Sequence, residues 1–266
     1  MRMLDYDEEL ASNAMFNQSF AKGLKALFAF QGHQSAMSLS ELAARLDASI
    51  SSVQRTVFTL ERLGLISKSP KTRKYSLTLR VLELGCNYIT ADALVEAANP
   101  FLAELSNITG ETVNLTEPLE REMVYVSRVV AAKFIPIHMP IGSRIPMYCT
   151  ASGRAYLSAL DDARVQAILD GSTLKRHTPW TETDPARLRA LIEQARVSGV
   201  AHNKEELFLG DMTLAAPIVG GRGAPVACVH IVAPTSRWTQ EEAFARLAPP
   251  LRDCARGIAN AVRAFT

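Results

Sequence analysis

The sequence predicts a two-domain fold, an all-α N-terminal domain carrying a wing, followed by an α+β domain. Three observations predict it. Two short helices with capping signals and a basic hairpin follow one another between Ser38 and Ser76. From Glu111 the hydrophobic period changes from helical to alternating. Charge divides in the same way, with a net +7 over residues 17–80 and −2 over residues 81–266. A basic module joined to a near-neutral one points to a polyanionic partner for the first alone. At 266 residues the chain has room for two domains, each with its own core.

Residues 1–16 read as a flexible arm. A first helix is expected over Ser19 to Phe30, with Phe20, Leu24, Leu27 and Phe28 as its packing face. Ser38 with Glu41 is a capping box, after which Leu39, Leu42, Ala43 and Leu46 share one face. Asp47 to Ile50 interrupt the pattern in a short turn. Ser51, with Gln54 at the reciprocal position, is expected to start the second helix. Its packing face is Val53, Val57, Leu60 and Leu63, and Gly64 closes it as a left-handed cap. The opposite face carries Ser52, Gln54, Arg55 and Thr59, with Ser51 at its start. These are hydrogen-bonding side chains near a helix N-terminus, a geometry that a DNA major groove admits. Leu65-Ile66 then opens a strand, a basic turn holds Lys68, Lys71, Arg73 and Lys74, and Tyr75 to Leu77 returns. The whole is a winged helix-turn-helix over residues 17–78. A helical pair that binds nothing would share its caps and faces, and the +7 charge separates the two readings.

Leu79 to Leu94 is helical in period and apolar on one side, as expected of a linker helix over 79–94 or of a dimer seam. Residues 95–266 form the second domain. Asn99-Pro100 is expected to break into another helix, Phe101 to Asn107. Strands follow at Thr112–Thr116 and Met123–Val130 around a polar turn at Glu117–Glu122, with a third at Phe134–Met139. Short helices are expected at Ser152–Leu160 and Ala163–Leu169. Asp184 caps a longer one, with Pro185 in its first turn and Gly199 past its end. Thr213–Val219 and Val226–Ala233 are apolar strands around Gly220-Gly221-Arg222-Gly223. Thr239 with Glu242 is a capping box opening a C-terminal helix that reaches about Ala264. Strands and helices mix without strict alternation, which describes an α+β domain with an antiparallel-rich sheet.

Apolar residues make up 48% of the chain, which excludes a disordered tail. No run approaches the roughly 18 uncharged apolar residues of a membrane-spanning helix. The acidic start MRMLDYDEEL reads as neither signal nor transit peptide. Cys86, Cys149, Cys228 and Cys254 are scattered without CxxC spacing, as in a reduced, cytoplasmic protein. His33, His138, His177, His202 and His230 show no HxxxH spacing, so neither metal nor cofactor is expected. GGRGAP at 220–225 is a hairpin turn, because no phosphate-binding glycine pattern occurs. Arg176-His177-Thr178 reads as a buried hydrogen-bond cluster without chemistry.

With both halves read, the chain resembles the isocitrate-lyase-regulator (IclR) family of bacterial transcription factors, from about Phe16 to Trp238. Besides the helix-turn-helix and wing, the resemblance rests on GSRIPMYCTASGRAYL at 142–157, RHTPWT at 176–181 and SGVAHNKEELFLGDMTLAAPIV at 198–219. SFAKGLKAL at 19–27 looks like the branch that controls aromatic-acid catabolism. The resemblance implies a winged-helix DNA-binding domain, a linker helix and a GAF-like effector-binding domain, in a homodimer or dimer of dimers. It implies no enzymatic activity. Double-stranded DNA with a near-palindromic operator is the expected partner, with paired recognition helices about 34 Å apart or a small multiple of that. Arg55 is the best candidate for a base or phosphate contact.

A small organic acid, aromatic by preference, is the expected effector. Thr150-Ala151-Ser152-Gly153 is a strand-to-helix turn of small residues. Backbone N–H groups and the positive end of a helix dipole meet there, which suits a carboxylate. Thr150 and Ser152 add hydroxyls, and Tyr148 a ring or phenol. The rival for this turn is a plain helix cap without a ligand. His230 is a lone histidine on an apolar strand, more often a satisfied core residue, but the resemblance puts it toward the pocket. The same matching carries Asn203 and Thr213, with Asp211 and Met212 beside them. Asn203 and His230 depart from the residues many members have there. Met147, Met212 and Val232 are expected as apolar walls.

Two other classes compete. An enzyme would use Cys149 as nucleophile with His138 or His230 as base, but the sequence offers no nucleophile elbow and no use for the basic module. An architectural DNA-binding protein without an effector would leave the large second domain purely structural.

Overall fold

The computed structural model describes residues 8–30, 35–131 and 139–264. The chain divides into two compact units, Met1–Ile89 and Thr90–Thr266. The first contains α1 (Glu8–Ser12), α2 (Gln18–Phe28), β1 (Ala36–Met37), α3 (Leu39–Leu46), α4 (Ile50–Arg62), β2 (Ile66–Lys68) and β3 (Tyr75–Leu77). Asn17 caps α2 by accepting from the Phe20 N–H. The buried stripe of this helix runs through Ala21 and Ala26, on to Ala29. The expected Phe20 and Phe28 fall outside it and are 67% and 39% exposed, while Phe30, just past the helix, is the ring that enters the core.

The Ser38–Glu41 capping box of α3 is made in both directions. That helix ends at Asp47, whose φ of 48° lies in the left-handed region and turns the chain sharply. The cap of α4 is Ser49 and not Ser51: its hydroxyl accepts from the Ser52 N–H at 3.3 Å. Ile50 therefore opens the helix, and Gln54 has no cap to reciprocate. Gly64, at φ 73°, follows the last turn as expected. Strands β2 and β3 make the hairpin of the wing. β1, which the sequence does not announce, adds to its far side, so the order is β1-β3-β2. Leu42, Val53, Val57, Leu60, Ile66 and Tyr75 form the core beneath. Leu63, expected on that face, is 54% exposed.

α5 (Arg80–Ala91) buries no side chain of its own. The following helix, α6 (Ala93–Thr109), starts at Asp92, whose carboxylate accepts from the Leu94 and Val95 N–H groups. The expected break at Asn99-Pro100 is absent, and Pro100 sits inside α6. An internal proline costs about 3 kcal/mol, whereas each well-buried aliphatic side chain returns about 1.5–3 kcal/mol. Leu94, Val95, Leu102 and Leu105 are buried on this helix, so packing prevails over the break.

The second unit continues with β4 (Val113–Leu119), β5 (Glu122–Val129), β6 (Arg144–Pro146), α7 (Ala151–Ser158), α8 (Asp162–Asp170) and α9 (Pro185–Ser198). It closes with β7 (Ala201–Lys204), β8 (Met212–Val219), β9 (Pro225–Val232) and α10 (Gln240–Val262). Among the described residues the strands form one antiparallel sheet in the order β6-β5-β4-β9-β8-β7. Neither β6 nor β7 is expected from the sequence. The strand expected at Phe134–Met139 falls, apart from Met139, outside the described residues, as do His33 and His138. The Asp184 cap, Pro185 and Gly199 stand where the sequence puts them, and so does the Thr239–Glu242 box. α7 packs on β7, β8 and β9, and α10 packs on α6 and β8. Gly153 in α7 is obligatory, since a Cβ there would lie 2.2 Å from the Met147 Cα. No described helix is long and apolar enough to cross a membrane.

Candidate functional site

In the first unit, Gln54, Arg55 and Thr59 are exposed along α4, with Ser51 exposed at its start and Ser52 partly buried. Ser51, Ser52, Arg55 and Thr59 border one open groove between α2 and α4, with Phe20, Lys22 and Leu27 opposite. Gln54 stands outside it. The Thr59 hydroxyl donates to the Arg55 carbonyl at 3.1 Å, which commits its proton to its own helix. On the wing, Lys71 and Arg73 are exposed, and Arg73 turns the hairpin at φ 59°. Lys74 is bound more closely, its Nζ 3.1 Å from Glu41 Oε1. Lys68 Nζ lies 5.0 Å from the centre of the Tyr75 ring. Glu41 is held down to about 2 by the Ser38 N–H first and then by Lys74. It links the base of the wing to the start of α3.

In the second unit a narrow cavity of about 40 Å³ lies where the start of α7 meets the sheet. Of the expected effector residues, Thr150, Ala151, Ser152, Asn203, Asp211, Thr213, His230 and Val232 line it. Tyr148 does not reach it: its hydroxyl donates to the Lys175 carbonyl and its ring stacks against His177 at 6.3 Å. Met212, fully buried, and Met147 belong to the packing around the cavity and not to its wall. The α7 start is also less open than expected. Asn203 Oδ1 accepts from the Ala151 N–H at 3.1 Å, and Thr150 Oγ1 accepts from the Gly153 N–H at 3.2 Å. The Ser152 hydroxyl is taken by Thr116.

Arg128 brings positive charge to a cavity that also holds Asp211, and the sequence does not single it out. Asn114, Tyr125 and Arg128 line the cavity together with Met139, Ile145, Leu207 and Phe208. Asn114 and Thr116 alternate with Val113 and Leu115 on β4, and that polar pair among apolar neighbours is the available signal. Tyr125 and His230 meet edge to face at 5.3 Å. Burial, with the Arg128 charge adding to it, pushes His230 down to about 3, so the ring is neutral near pH 7. Burial pushes Asp211 up to about 6, against a 3.2 Å hydrogen bond from Thr213 Oγ1.

Behind the cavity, Arg154 is 1% exposed and grips Glu206 with two nitrogens at 2.5 and 2.7 Å. Its Nε donates to the Tyr148 carbonyl at 2.9 Å. Glu206 Oε2 accepts from the Glu182 N–H as well. The buried polar cluster expected at Arg176-His177-Thr178 is displaced onto this network. Thr178 and Thr181 donate to the Glu205 and Glu206 carbonyls at 2.6 Å, while Arg176 and His177 are exposed.

A helix-turn-helix with an exposed polar face and a basic wing, joined to a sheet domain with an internal polar cavity, defines a class of DNA-binding regulators. Likeness to known proteins specifies it further. The IclR helix-turn-helix domain matches residues 19–70, and the bacterial transcriptional regulator IclR C-terminal domain matches residues 86–260. The Pca regulon regulatory protein of Pseudomonas putida is 30% identical over 246 residues, which is 92% of this chain and 84% of that protein. A crystal structure from Rhodococcus sp. RHA1 superposes with a TM-score of 0.83 at 32% identity, covering 94% of this chain and 100% of that one. An IclR homolog of Microbacterium hydrocarbonoxydans, solved in complex with 4-hydroxybenzoate, shares the fold at a TM-score of 0.77 and 22% identity, covering 92% and 99%. The chain belongs to the IclR family and is a DNA-binding transcriptional regulator.

Proposed function

We propose that the regulator's hold on its operator is controlled by a small carboxylic acid bound in the cavity of the second unit, with aromatic acids as the first class to try. The observation that carries this is the composition of that cavity. It is apolar at Ile145, Leu207, Phe208 and Val232, and polar at Arg128, Asn114, Asn203, Asp211 and His230, with Arg128 its cation. That mixture suits an organic anion, apolar in body and charged at one end. The complex of a family member with 4-hydroxybenzoate supports the choice of aromatic acids. Because the N–H groups of Ala151 and Gly153 are already engaged, Arg128 replaces the helix start as the carboxylate's counter-charge.

The reading includes a homodimer or dimer of dimers on a near-palindromic operator, in the cytoplasm, with Arg55 and Gln54 reaching bases and the wing reaching phosphates. It includes no catalysis. Cys149 is fully buried and burial pushes its thiol up to about 12, so a thiolate nucleophile has no support.

Gel-shift titration of the full chain against DNA upstream of its own gene and its neighbours tests the proposal, with benzoates and aliphatic acids added in turn. Specific binding altered by one of these acids is the expected result. Specific binding indifferent to all of them would remove the acid from the cavity. Failure to bind specifically at low salt would remove the operator reading.

A further inference from the structure

Successive residues of a helix advance by about 100°, so the buried Val53, Val57 and Leu60 of α4 fix where its opposite side points. Ser51, Arg55, Phe58 and Arg62, spaced four, three and four residues apart, form the stripe on that side. All four are exposed, with Gln54 beside them. Phe58 is the apolar member of the stripe and is 58% exposed. The Arg62 guanidinium lies over its ring, 5.2 Å from the centre. Ile50 and Leu63, the other large apolar side chains exposed along α4, stand at its two ends, about 20 Å apart along the axis. The ring is thus set singly among polar and cationic neighbours, unlike the continuous apolar patch that a protein partner covers.

A single exposed ring is unremarked in water, but this one stands where DNA is met. The unit carries a net +7 over residues 17–80, and the IclR helix-turn-helix domain matches residues 19–70, with α4 inside both ranges. Base edges in the major groove present hydrogen-bond donors and acceptors and one apolar group, the C5-methyl of thymine. A phenyl ring pressed on a donor or acceptor takes its water away and offers nothing in return, which costs free energy. Pressed on the methyl group, it removes apolar surface from water on both sides. The same ring therefore favours thymine and penalises the other bases. Phe58 lies about 4.5 Å along the axis from Arg55, little more than one base-pair step of about 3.4 Å.

Resting on the reading that α4 lies in the major groove, we propose that Phe58 is a specificity-determining residue that selects a thymine. It does so by packing on the C5-methyl group, within about two base pairs of the pair that Arg55 meets. A hydrogen-bonding side chain beside it reads donors and acceptors, and the ring reads the methyl group that they leave unread.

Enrichment of a randomised duplex pool on the full chain supplies the DNA for the test. In the enriched sequence each thymine is replaced in turn by deoxyuridine, which pairs in the same way and lacks the methyl group. Competition binding should show one thymine in each half-site whose replacement weakens binding about threefold or more. In Phe58→Ala the same replacement should cost less than about 1.5-fold, while the responses of other thymines stay as they were. Phe58→Leu, still apolar, should keep part of the response. Because Phe58 is exposed, both variants leave the core of the unit intact. A protein indifferent to every replacement would overturn the assignment and leave α4 in the groove, as expected of a ring that wedges between base steps instead. A response unchanged in Phe58→Ala would overturn it too. Failure to enrich any sequence would overturn the major-groove reading along with it.

Discussion

Glu206 shows how much one residue can mean beyond its place in a motif. In the sequence it is the second residue of the acidic pair Glu205-Glu206, with no role of its own. The structure buries it against Arg154, with Tyr148, Glu182 and Thr181 tied to the same network. Removing one partner of a buried pair leaves the other charged and unmatched, at a cost of about 3–5 kcal/mol, while replacing both by apolar groups costs far less. Glu206→Ala should therefore lower the unfolding free energy of the second unit by about 3–5 kcal/mol in urea titration. Arg154→Met with Glu206→Met should recover much of it. A loss below about 1 kcal/mol for Glu206→Ala would mean that water already reaches the guanidinium. The cavity residues divide in the same way. Thr150 and Ser152 are legible as polar groups at a turn and His230 as one on an apolar strand, whereas Asn203 comes only with the family resemblance. Arg128 is not, because one arginine on a strand looks like any exposed edge residue until its neighbours are known.

At the scale of elements, the helix-turn-helix is legible because its signals are local. Ser38, Glu41 and Gly64 act within a turn of their own position, and α3 and α4 keep a single apolar face. Expectation and structure part where two local signals compete. Ser49, Ser51 and Ser52 can each cap a helix, and the Asp47 turn decides for Ser49. The wing carries a sharper prediction than its composition does. Lys71 and Arg73 are exposed, whereas Lys74 is shared with Glu41. Lys71→Ala with Arg73→Ala should reduce the slope of log affinity against log salt by about 2, close to one counterion for each phosphate no longer neutralised. Adding Lys74→Ala should change the slope by less than either of the first two. An unchanged slope in the double variant would place the wing away from the phosphates.

For the whole molecule, pH dependence follows from two cavity groups displaced in opposite directions. His230 is pushed down from 6.5 to about 3, and Asp211 up from 3.8 to about 6. Between these unfolded and folded values, around pH 4 to 6, the unfolded chain holds its proton on His230 and the folded one holds it on Asp211. The pair binds one proton in either state, so it adds no slope to stability. Each variant exposes one side. In Asp211→Asn only His230 remains, and folding releases its proton. Stability should rise with pH across this window, steeper than in the unaltered protein by up to about 1.4 kcal/mol per unit. In His230→Phe only Asp211 remains, and folding takes a proton up. Its contribution is full below the unfolded value of 3.8 and is lost as pH rises through about 6. Urea titrations at pH 4, 5 and 6 read both slopes, and slopes of the same sign relative to the unaltered protein would refute the pairing.

By itself the sequence determined the two-domain order, the helix-turn-helix with its basic wing, most caps and the α+β class of the second domain. Each of these follows from periodicity, charge or a capping interaction within a few residues. Only the tertiary structure decided that Asp92 and not Pro100 divides the helices, and that β6 and β7 complete the sheet. It also decided that Arg128, Asn114 and His230 share a row across the sheet. That row is made by pairing strands more than a hundred residues apart, β4 with β9. Such pairing is set by the register of a buried sheet, and no local pattern encodes which polar atoms it will leave facing one another.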